Sequence, residues 1–228
     1  MPERRRMKLI IFDIDGVLVD VTNSYRLAIK KTSEFFLGKI LNASDVENVK
    51  NSGINDDYEA TETLIRENGG DFRREVIIKK FQEYYLGRKM DGFIKNEKCL
   101  IDEKVLKKIK KYKLAVFTGR PRLEADFALE KFRIKKYFKE VVCMEDVKQG
   151  KPDPEGIIKI IKKMNIPAEE AAYVGDNLAD ARAAKSAGVK FIGAVPPNSD
   201  KVYVKNMLKS EGAEIVLNDV NEIVKVLK

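Results

Sequence analysis

The chain has 228 residues, of which 44% are hydrophobic and 35% are charged. This length and hydrophobic fraction allow one large or two small folded domains with a real core. Histidine is absent, which excludes histidine-based catalytic triads, histidine metal sites and histidine proton shuttles. Any catalysis must therefore depend on Asp, Glu, Lys, Ser, Thr or Tyr side chains.

The net charge is +8, which makes a non-enzymatic basic module that binds RNA or a protein one alternative. The lysines, however, are spread over predicted helix faces, as in residues 103–111, and no aromatic residues are interleaved with them. We therefore expect no nucleic-acid partner.

The two cysteines, Cys99 and Cys143, lie far apart and form neither a disulfide framework nor a metal-type spacing. We expect a reducing, cytoplasmic environment. The basic N-terminal residues are followed by an apolar run that Asp13 interrupts, so the sequence predicts neither a signal peptide nor a membrane span.

The apolar run at residues 9–12 predicts a strand that is buried on both faces. Asp13 and Asp15 follow it, and side chains two residues apart on a strand point to the same side. Gly16 lets the backbone turn sharply beside them. Two buried carboxylates need a positive partner, and their hard oxygen atoms suit Mg²⁺. The alternative is a polar turn at the end of a strand.

From about residue 23 to residue 88 the pattern is helical, with apolar and aromatic residues at helical spacing and no convincing strand. One predicted helix face carries Tyr25, Ala28, Ile29, Thr32 and Phe36, and another carries Val76, Ile77, Phe81 and Tyr84. We interpret these stripes as the core of a helical insert.

From about residue 92 onward predicted strands and helices alternate, which indicates a parallel sheet. Ligands bind such sheets at the carboxyl ends of the strands. Polar residues follow these strands in this sequence: Thr118-Gly119-Arg120 follows one and Asp176 follows another. Such positions are unusual for residues that serve only as turns.

Thr118-Gly119-Arg120 offers a hydroxyl and backbone N–H groups at a helix N-terminus, which together can cradle a phosphate. The alternative is an ordinary Thr-Gly turn. Lys151 stands in the sequence Gly-Lys-Pro-Asp-Pro, where the prolines would fix the position of its ammonium group. The alternative is a surface lysine in a proline-rich turn.

Asp176 and Asp180 place one carboxylate at a strand end and a second in the first turn of the next helix. For Asp176 the alternative is a helix cap.

Taken together, these residues resemble the four ordered signatures of the haloacid dehalogenase superfamily: Asp-x-Asp, then Thr or Ser, then Lys, then paired acids. The resemblance covers nearly the whole chain. It is closest to the branch that has a helical cap between the first and second signatures, a branch that includes phosphoglycolate phosphatases and β-phosphoglucomutases. It implies a Rossmann-like α/β core of residues 1–20 and 92–228, with strand order 5-4-1-2-3, and a helical cap of residues 21–91.

The resemblance further implies a magnesium-dependent phosphomonoesterase that acts on a small phosphorylated metabolite through an aspartyl-phosphate. Asp13 would be the nucleophile and Asp15 the acid and base. The implied catalytic residues are Asp13, Asp15, Thr118 and Lys151. The implied metal-binding residues are Asp13, Asp15 through its backbone carbonyl, Asp176 and Asp180, the last orienting either Lys151 or a metal-bound water. The implied substrate-binding residues are Thr118, Gly119, Arg120, Lys50 and Asn55.

Lys50 and Asn55 lie in a cap loop that would face the cavity and recognise the leaving group, and the alternative is a solvated loop between helices. A sugar phosphomutase is the alternative activity within the superfamily, whereas the acid at position 15 argues against a dehalogenase. A monomer or a homodimer is expected, and no membrane partner.

Overall fold

The computed structural model describes residues 6–52, 54 and 56–227. The chain forms two compact units, which are described separately below. One unit comprises the residues up to Asp20 together with those from Cys99 onward, and the other is Val21–Lys98. Within the described residues, no helix combines the length and the apolar composition needed to cross a bilayer.

The elements are named in chain order. The strands are Leu9–Phe12 (β1), Val19–Asp20 (β2), Lys98–Cys99 (β3), Lys113–Phe117 (β4), Glu140–Val142 (β5), Ala171–Gly175 (β6), Lys190–Ala194 (β7) and Ile215–Leu217 (β8). The α-helices are Tyr25–Leu37 (α1), Ala43–Asn51 (α2), Asp57–Glu67 (α3), Arg74–Tyr85 (α4), Glu103–Ile109 (α5), Arg122–Lys131 (α6), Glu155–Met164 (α7), Leu178–Ala187 (α8), Lys201–Ser210 (α9) and Ile223–Val226 (α10).

The main sheet is parallel and, over the described part of the chain, has the order β5-β4-β1-β6-β7-β8. The predicted order 5-4-1-2-3 counted only the predicted core strands, and it is confirmed as β7-β6-β1-β4-β5. Strand β8 extends this sheet at the edge next to β7. β2 and β3 form a separate two-stranded sheet.

Strand β1 occupies the centre of the sheet, and all four of its residues are fully buried. A central strand of a parallel sheet is covered by helices on both faces, which explains its unbroken apolar sequence. On one face Leu9 and Ile11 share a core cluster with Ile157 of α7 and Ala184 of α8. Small residues on α8 allow that helix to approach the sheet closely.

The strand register aligns the carboxyl ends of the three central strands. Phe12 of β1 pairs with Val116 of β4 on one side and with Val174 of β6 on the other. The residues that follow these strands therefore emerge side by side at one edge of the sheet, the edge where parallel sheets bind ligands.

The helical unit has its own aromatic core. The rings of Tyr25 and Tyr85 stack with centroids 4.1 Å apart, and Phe81 meets Tyr58 edge to face at 5.1 Å. On α4 the buried stripe is Ile77, Phe81 and Tyr85, spaced four residues apart. The predicted stripe was therefore partly wrong, because Val76 is exposed and Tyr84 is only half-buried.

The helical unit extends to Lys98, so the boundary predicted after Asp91 was placed too early. A short 3₁₀ helix at Phe93–Asn96 buries Ile94 and contacts α1 and α4. The buried carboxylate of Glu97 accepts hydrogen bonds from the hydroxyls of Ser24, at 3.1 Å, and Tyr85, at 3.2 Å. These contacts attach residues 93–97 to the helices of this unit.

We predict that Gly156→Ala destabilises the α/β unit although alanine favours helix formation. A Cβ atom at position 156 of α7 would lie 2.2 Å from a ring carbon of Phe117, so the core would have to shift. We expect the free energy of unfolding in urea to fall by about 1–3 kcal/mol. Gly150→Ala is the matched control, because in the described part of the chain no atom beyond its two chain neighbours lies within 4 Å of a Cβ at that position. Equal stability of the two variants would contradict this packing.

Candidate active site

The acidic residues of the first and fourth signatures meet at the carboxyl edge of β1 and β6. The backbone N–H of Asp13 donates to the carbonyl of Val174 at 2.9 Å, which extends the β1–β6 pairing by one residue. The Ile14 N–H donates to Oδ1 of Asp13 at 2.8 Å. Asp13 is 3% exposed, and its carboxylate is held in place by the strand itself.

Lys151 reaches this edge from the loop that precedes α7, after a cis Lys151–Pro152 peptide bond. Its Nζ lies 2.9 Å from Oδ2 of Asp13 and 2.7 Å from Oδ1 of Asp180. The exposed fraction of each of these side chains is 4% or less. The structure therefore joins residues of the first, third and fourth signatures in one buried ionic cluster.

Tyr173, a residue of β6 that the sequence analysis did not single out, completes the cluster. Its hydroxyl accepts a hydrogen bond from Nζ of Lys151 at 3.2 Å. It lies 3.1 Å from the carbonyl of Phe117 and 3.0 Å from Oδ1 of Asp180, either of which can accept its single proton. The only signal in the sequence was a hydroxyl-bearing residue in a strand of otherwise small and aliphatic residues.

Burial raises the pKa of Asp13 to about 7, opposed by the Lys151 ammonium and reinforced by the carboxylates of Asp180 and Asp15. Burial alone would lower the pKa of Lys151, but the carboxylates of Asp13 and Asp180 outweigh it and raise that pKa. Lys151 is thus protonated at neutral pH, whereas Asp13 lacks enough positive charge to ionise fully without a further cation.

Asp176 brings a further carboxylate to the same place. Oxygen atoms of Asp13, Asp176 and Asp180 lie within 4.8 Å of one another, a grouping that could hold a metal ion. Gly16 permits this approach, because a Cβ there would lie 2.0 Å from Oδ2 of Asp176 and the backbone φ is +69°. A side chain at position 16 would therefore displace Asp176.

Asp180 is fully buried, and both of its oxygens already accept hydrogen bonds. Oδ1 accepts from Lys151 and Tyr173, and Oδ2 accepts from the backbone N–H of Asp176 at 3.0 Å. Its own N–H donates to the side chain of Asn177, the residue that caps α8. Asp180 is therefore engaged with the lysine and the strand end rather than turned towards an open site.

The loop after β4 places Thr118 and Gly119 at the same edge of the sheet. Thr118 is buried, its N–H donates to the carbonyl of Val142 at 3.0 Å, and its Oγ1 accepts from the N–H of Arg120 at 3.2 Å. Apart from its two chain neighbours, no atom of the described residues lies within 4 Å of a Cβ built on Gly119, and this glycine is exposed. This part of the predicted phosphate cradle is accessible to a ligand.

Arg120 was predicted to bind the phosphate, and in the structure its guanidinium contacts Asp15. Nε and Nη2 lie 2.8 and 2.5 Å from Oδ1 of Asp15. The sequence separation of 105 residues between the two kept this pair out of reach of pattern analysis.

The two predicted cap residues belong to the helical unit. Lys50 lies in α2, and its Nζ forms an ion pair with Oδ1 of Asp57 at 2.8 Å. Asn55 lies outside the described residues.

A family model described as haloacid dehalogenase-like hydrolase matches residues 10–194. The chain belongs to this family. It is 30% identical over 227 residues to the phosphorylated carbohydrates phosphatase of Thermotoga maritima, covering 97% of this chain and 99% of that protein. It is also 30% identical over 218 residues to imidazoleglycerol-phosphate dehydratase of Phytophthora nicotianae, covering 92% of this chain and 47% of that protein. The chain therefore spans about half the length of this second relative.

Among solved structures, the chain is similar to a Thermotoga maritima protein provisionally named a β-phosphoglucomutase. The TM-score is 0.73 and the identity 29%, covering 97% of this chain and 98% of that one. The fold, the inserted helical unit and these relatives define the chain as an enzyme of the phosphatase branch of the family.

We predict that Asp13→Asn stabilises the magnesium-free protein, and more so at pH 8 than at pH 4. The pKa of Asp13 rises from an ordinary value of 3.8 to about 7 on folding, so the folded state binds more protons than the unfolded state in that interval. Wild-type stability from this group is present below pH 4 and is lost as the pH rises through 7, whereas Asn has no charge to bury. We expect a gain of at least about 1 kcal/mol at pH 8.

Urea unfolding of both proteins in a chelating buffer at the two pH values measures this difference. A gain that is the same at both pH values, or a loss at pH 8, would contradict the electrostatic description of the cluster. Asp153→Asn, a substitution at a carboxylate that accepts a hydrogen bond from the Glu155 N–H at 2.8 Å, is the control for a general effect of removing one acid.

Proposed function

We propose that the chain is a magnesium-dependent phosphomonoesterase that hydrolyses a small phosphorylated metabolite through an aspartyl-phosphate. One observation carries this proposal above the others: the buried carboxylate of Asp13 lies 2.9 Å from the buried ammonium of Lys151, at the ligand-binding edge of the sheet. A carboxylate in this position can attack a phosphoryl group while the lysine offsets the negative charges of both partners.

In the first step, a carboxylate oxygen of Asp13 forms a bond to phosphorus as the bond from phosphorus to the leaving oxygen breaks. Asp15 donates its proton to that leaving oxygen. In the second step, Asp15 takes a proton from the water that attacks phosphorus, and the bond to Asp13 breaks. The Thr118 hydroxyl and the Gly119 N–H would bind the phosphoryl oxygens throughout.

The carboxylates present fit a magnesium ion. Asp13 and Asp176 offer hard oxygen ligands close together, and Gly16 leaves room for Asp176. Burial and the neighbouring carboxylates raise the pKa of Asp13. We propose Asp13, Asp176 and the backbone carbonyl of Asp15 as its ligands. When bound, the ion would neutralise charge on the phosphoryl group. Because both oxygens of Asp180 already accept hydrogen bonds, from Lys151 and from the Asp176 N–H, its proposed role is to hold Lys151.

Two alternatives are separable by simple measurements. A sugar phosphomutase, as suggested by the provisional name of the Thermotoga structure, would transfer the phosphoryl group to a sugar and would need a sugar bisphosphate to prime it. A basic RNA- or protein-binding module would release no phosphate from any ester. We favour the phosphatase, because relatives from Caldanaerobacter, Thermotoga and Pseudomonas are named a pyrophosphatase, a phosphorylated carbohydrates phosphatase and a phosphoglycolate phosphatase.

The same relatives suggest a panel of substrates. Phosphorylated carbohydrates come first, followed by phosphoglycolate, pyrophosphate and imidazoleglycerol phosphate, each taken from the name of a relative. p-Nitrophenyl phosphate serves as a generic ester.

We predict that phosphate release requires both magnesium and Asp13. Chelation should abolish release and added magnesium should restore it, because the acidic edge alone would repel a phosphate dianion. Asp13→Asn should reduce kcat by at least about a thousandfold while circular dichroism stays unchanged, because an amide of the same shape cannot form the phosphoenzyme. Full activity of verified metal-free protein would refute the metal, and substantial activity of Asp13→Asn would refute the nucleophile.

We also propose that the helical unit selects the leaving group, since the α/β unit supplies chemistry common to all phosphate esters. We predict that Lys50→Ala changes the ranking of substrates in the panel and leaves p-nitrophenyl phosphate hydrolysis within about twofold. Lys31→Ala is the matched control, because Lys31 is an exposed lysine of the same unit that pairs with Glu34. If Lys50→Ala lowers the hydrolysis of all substrates equally, or changes the hydrolysis of none, Lys50 does not select the leaving group.

A further inference from the structure

Arg120 has a buried, charged side chain that contacts Asp15, a predicted catalytic residue. Only 1% of its side chain is exposed, compared with 33% for Asp15. Nε and Nη2 both contact the same oxygen, Oδ1 of Asp15, at 2.8 and 2.5 Å. A buried guanidinium thus holds a partly exposed carboxylate by one of its two oxygens.

We propose that Arg120 is a positioning residue for Asp15: it fixes the orientation of that carboxylate so that Oδ2 presents the proton to the leaving oxygen. This inference rests on the proposed function, in which Asp15 is the acid and base. It replaces the expectation that Arg120 binds the phosphate.

The backbone of Arg120 is itself fixed, which is what a positioning role requires. Its N–H donates to Oγ1 of Thr118 at 3.2 Å, and its carbonyl accepts from the N–H of Met144 at 3.0 Å. Pro121, with φ of −55°, follows directly and precedes α6. The guanidinium thus starts from a rigid loop, and its planar group of donors sets the direction of the carboxylate it binds.

The carboxylate needs such a partner. Asp15 follows the end of β1, and among the described residues no hydrogen bond to its Oδ2 is found. Without Arg120 a partly exposed aspartate is free to rotate about its side-chain torsions, and proton transfer depends on the geometry of one oxygen. Burial of Arg120 also argues against phosphate binding, since a ligand would have to displace Asp15 to reach it.

The two roles make different kinetic predictions. Removal of an acid, or of the residue that positions it, slows esters with poor alkyl leaving groups more than esters with good phenolic ones, because a good leaving group needs little protonation. Loss of a phosphate-binding residue weakens the binding of all esters alike, and it weakens inhibition by inorganic phosphate by the same factor.

The test compares Arg120→Met, Arg120→Lys, Asp15→Asn and the double variant Asp15→Asn/Arg120→Met. Each is assayed with magnesium on p-nitrophenyl phosphate and on the best alkyl phosphate of the panel. Arg122→Met is the matched control, because Arg122 begins α6 two residues after Arg120, is 43% exposed and pairs with Asp146. Melting temperatures in the same buffer report whether each variant is folded.

We expect Arg120→Met to lower kcat for the alkyl ester about tenfold or more beyond its effect on p-nitrophenyl phosphate, the pattern also expected for Asp15→Asn. The informative quantity is the ratio of kcat on the alkyl ester to kcat on p-nitrophenyl phosphate. In the Asp15→Asn background Arg120→Met should cause no further change in this ratio. Arg120→Lys should recover part of the loss, because it keeps the charge without the planar donors. Arg122→Met should leave the ratio unchanged.

Two results would overturn the proposal while the wild type remains active. One is an unchanged ratio with equal loss on both esters, which indicates a structural role. The other is an equal rise in KM and in the inhibition constant of inorganic phosphate, which indicates phosphate binding. Failure of the proposed function is visible separately, since the wild type would then release no phosphate, and that result overturns the positioning role as well.

Discussion

The buried ion cluster of Lys151 with Asp13 and Asp180 is the constraint on which the active edge depends. Transfer of an ammonium from water into a protein interior costs several kcal/mol, and close carboxylates with good geometry offset that cost. Here two carboxylates and the Tyr173 hydroxyl surround the Lys151 Nζ within 3.2 Å. Loss of the lysine would leave two like charges buried together, so the two carboxylates depend on Lys151 for charge balance.

Other features of the chain serve this cluster. Gly175 ends β6 because a Cβ there would lie 2.4 Å from the Cβ of Asp180, so only glycine lets α8 bring that carboxylate under the lysine. Asn177 caps α8 and fixes the backbone of Asp180. Four carboxylates and two basic side chains, those of Lys151 and Arg120, meet at this edge, so negative charge is in excess. A divalent cation would balance that excess.

The sequence revealed those site residues that interrupt a strong local pattern. Asp13, Thr118 and Asp176 each end a buried apolar run, and the alternation of strands and helices predicts their common edge. Tyr173 was not predicted as a site residue, because in the sequence an aromatic residue inside a buried strand cannot be distinguished from any other core residue. The contact of Arg120 with Asp15 was not predicted, because the direction of a side chain depends on packing between residues far apart in sequence. The burial of Glu97 was not predicted, because a charged residue normally lies on the surface. Here the hydroxyls of Ser24 and Tyr85 donate hydrogen bonds to its carboxylate inside the helical unit.

The central place of β1 also determines how the chain can acquire its structure. Leu9 pairs with Lys113 on one side and with Ala171 on the other, so β1 must wait for partners that lie far behind it in the sequence. Pairings of such long sequence separation form slowly, because the intervening chain must first be closed into a loop. Until then the fully apolar β1 has two open edges, which makes incomplete chains prone to association through this strand. A nascent chain that stops before β6 would therefore lack both the cluster and the protection of its most hydrophobic strand.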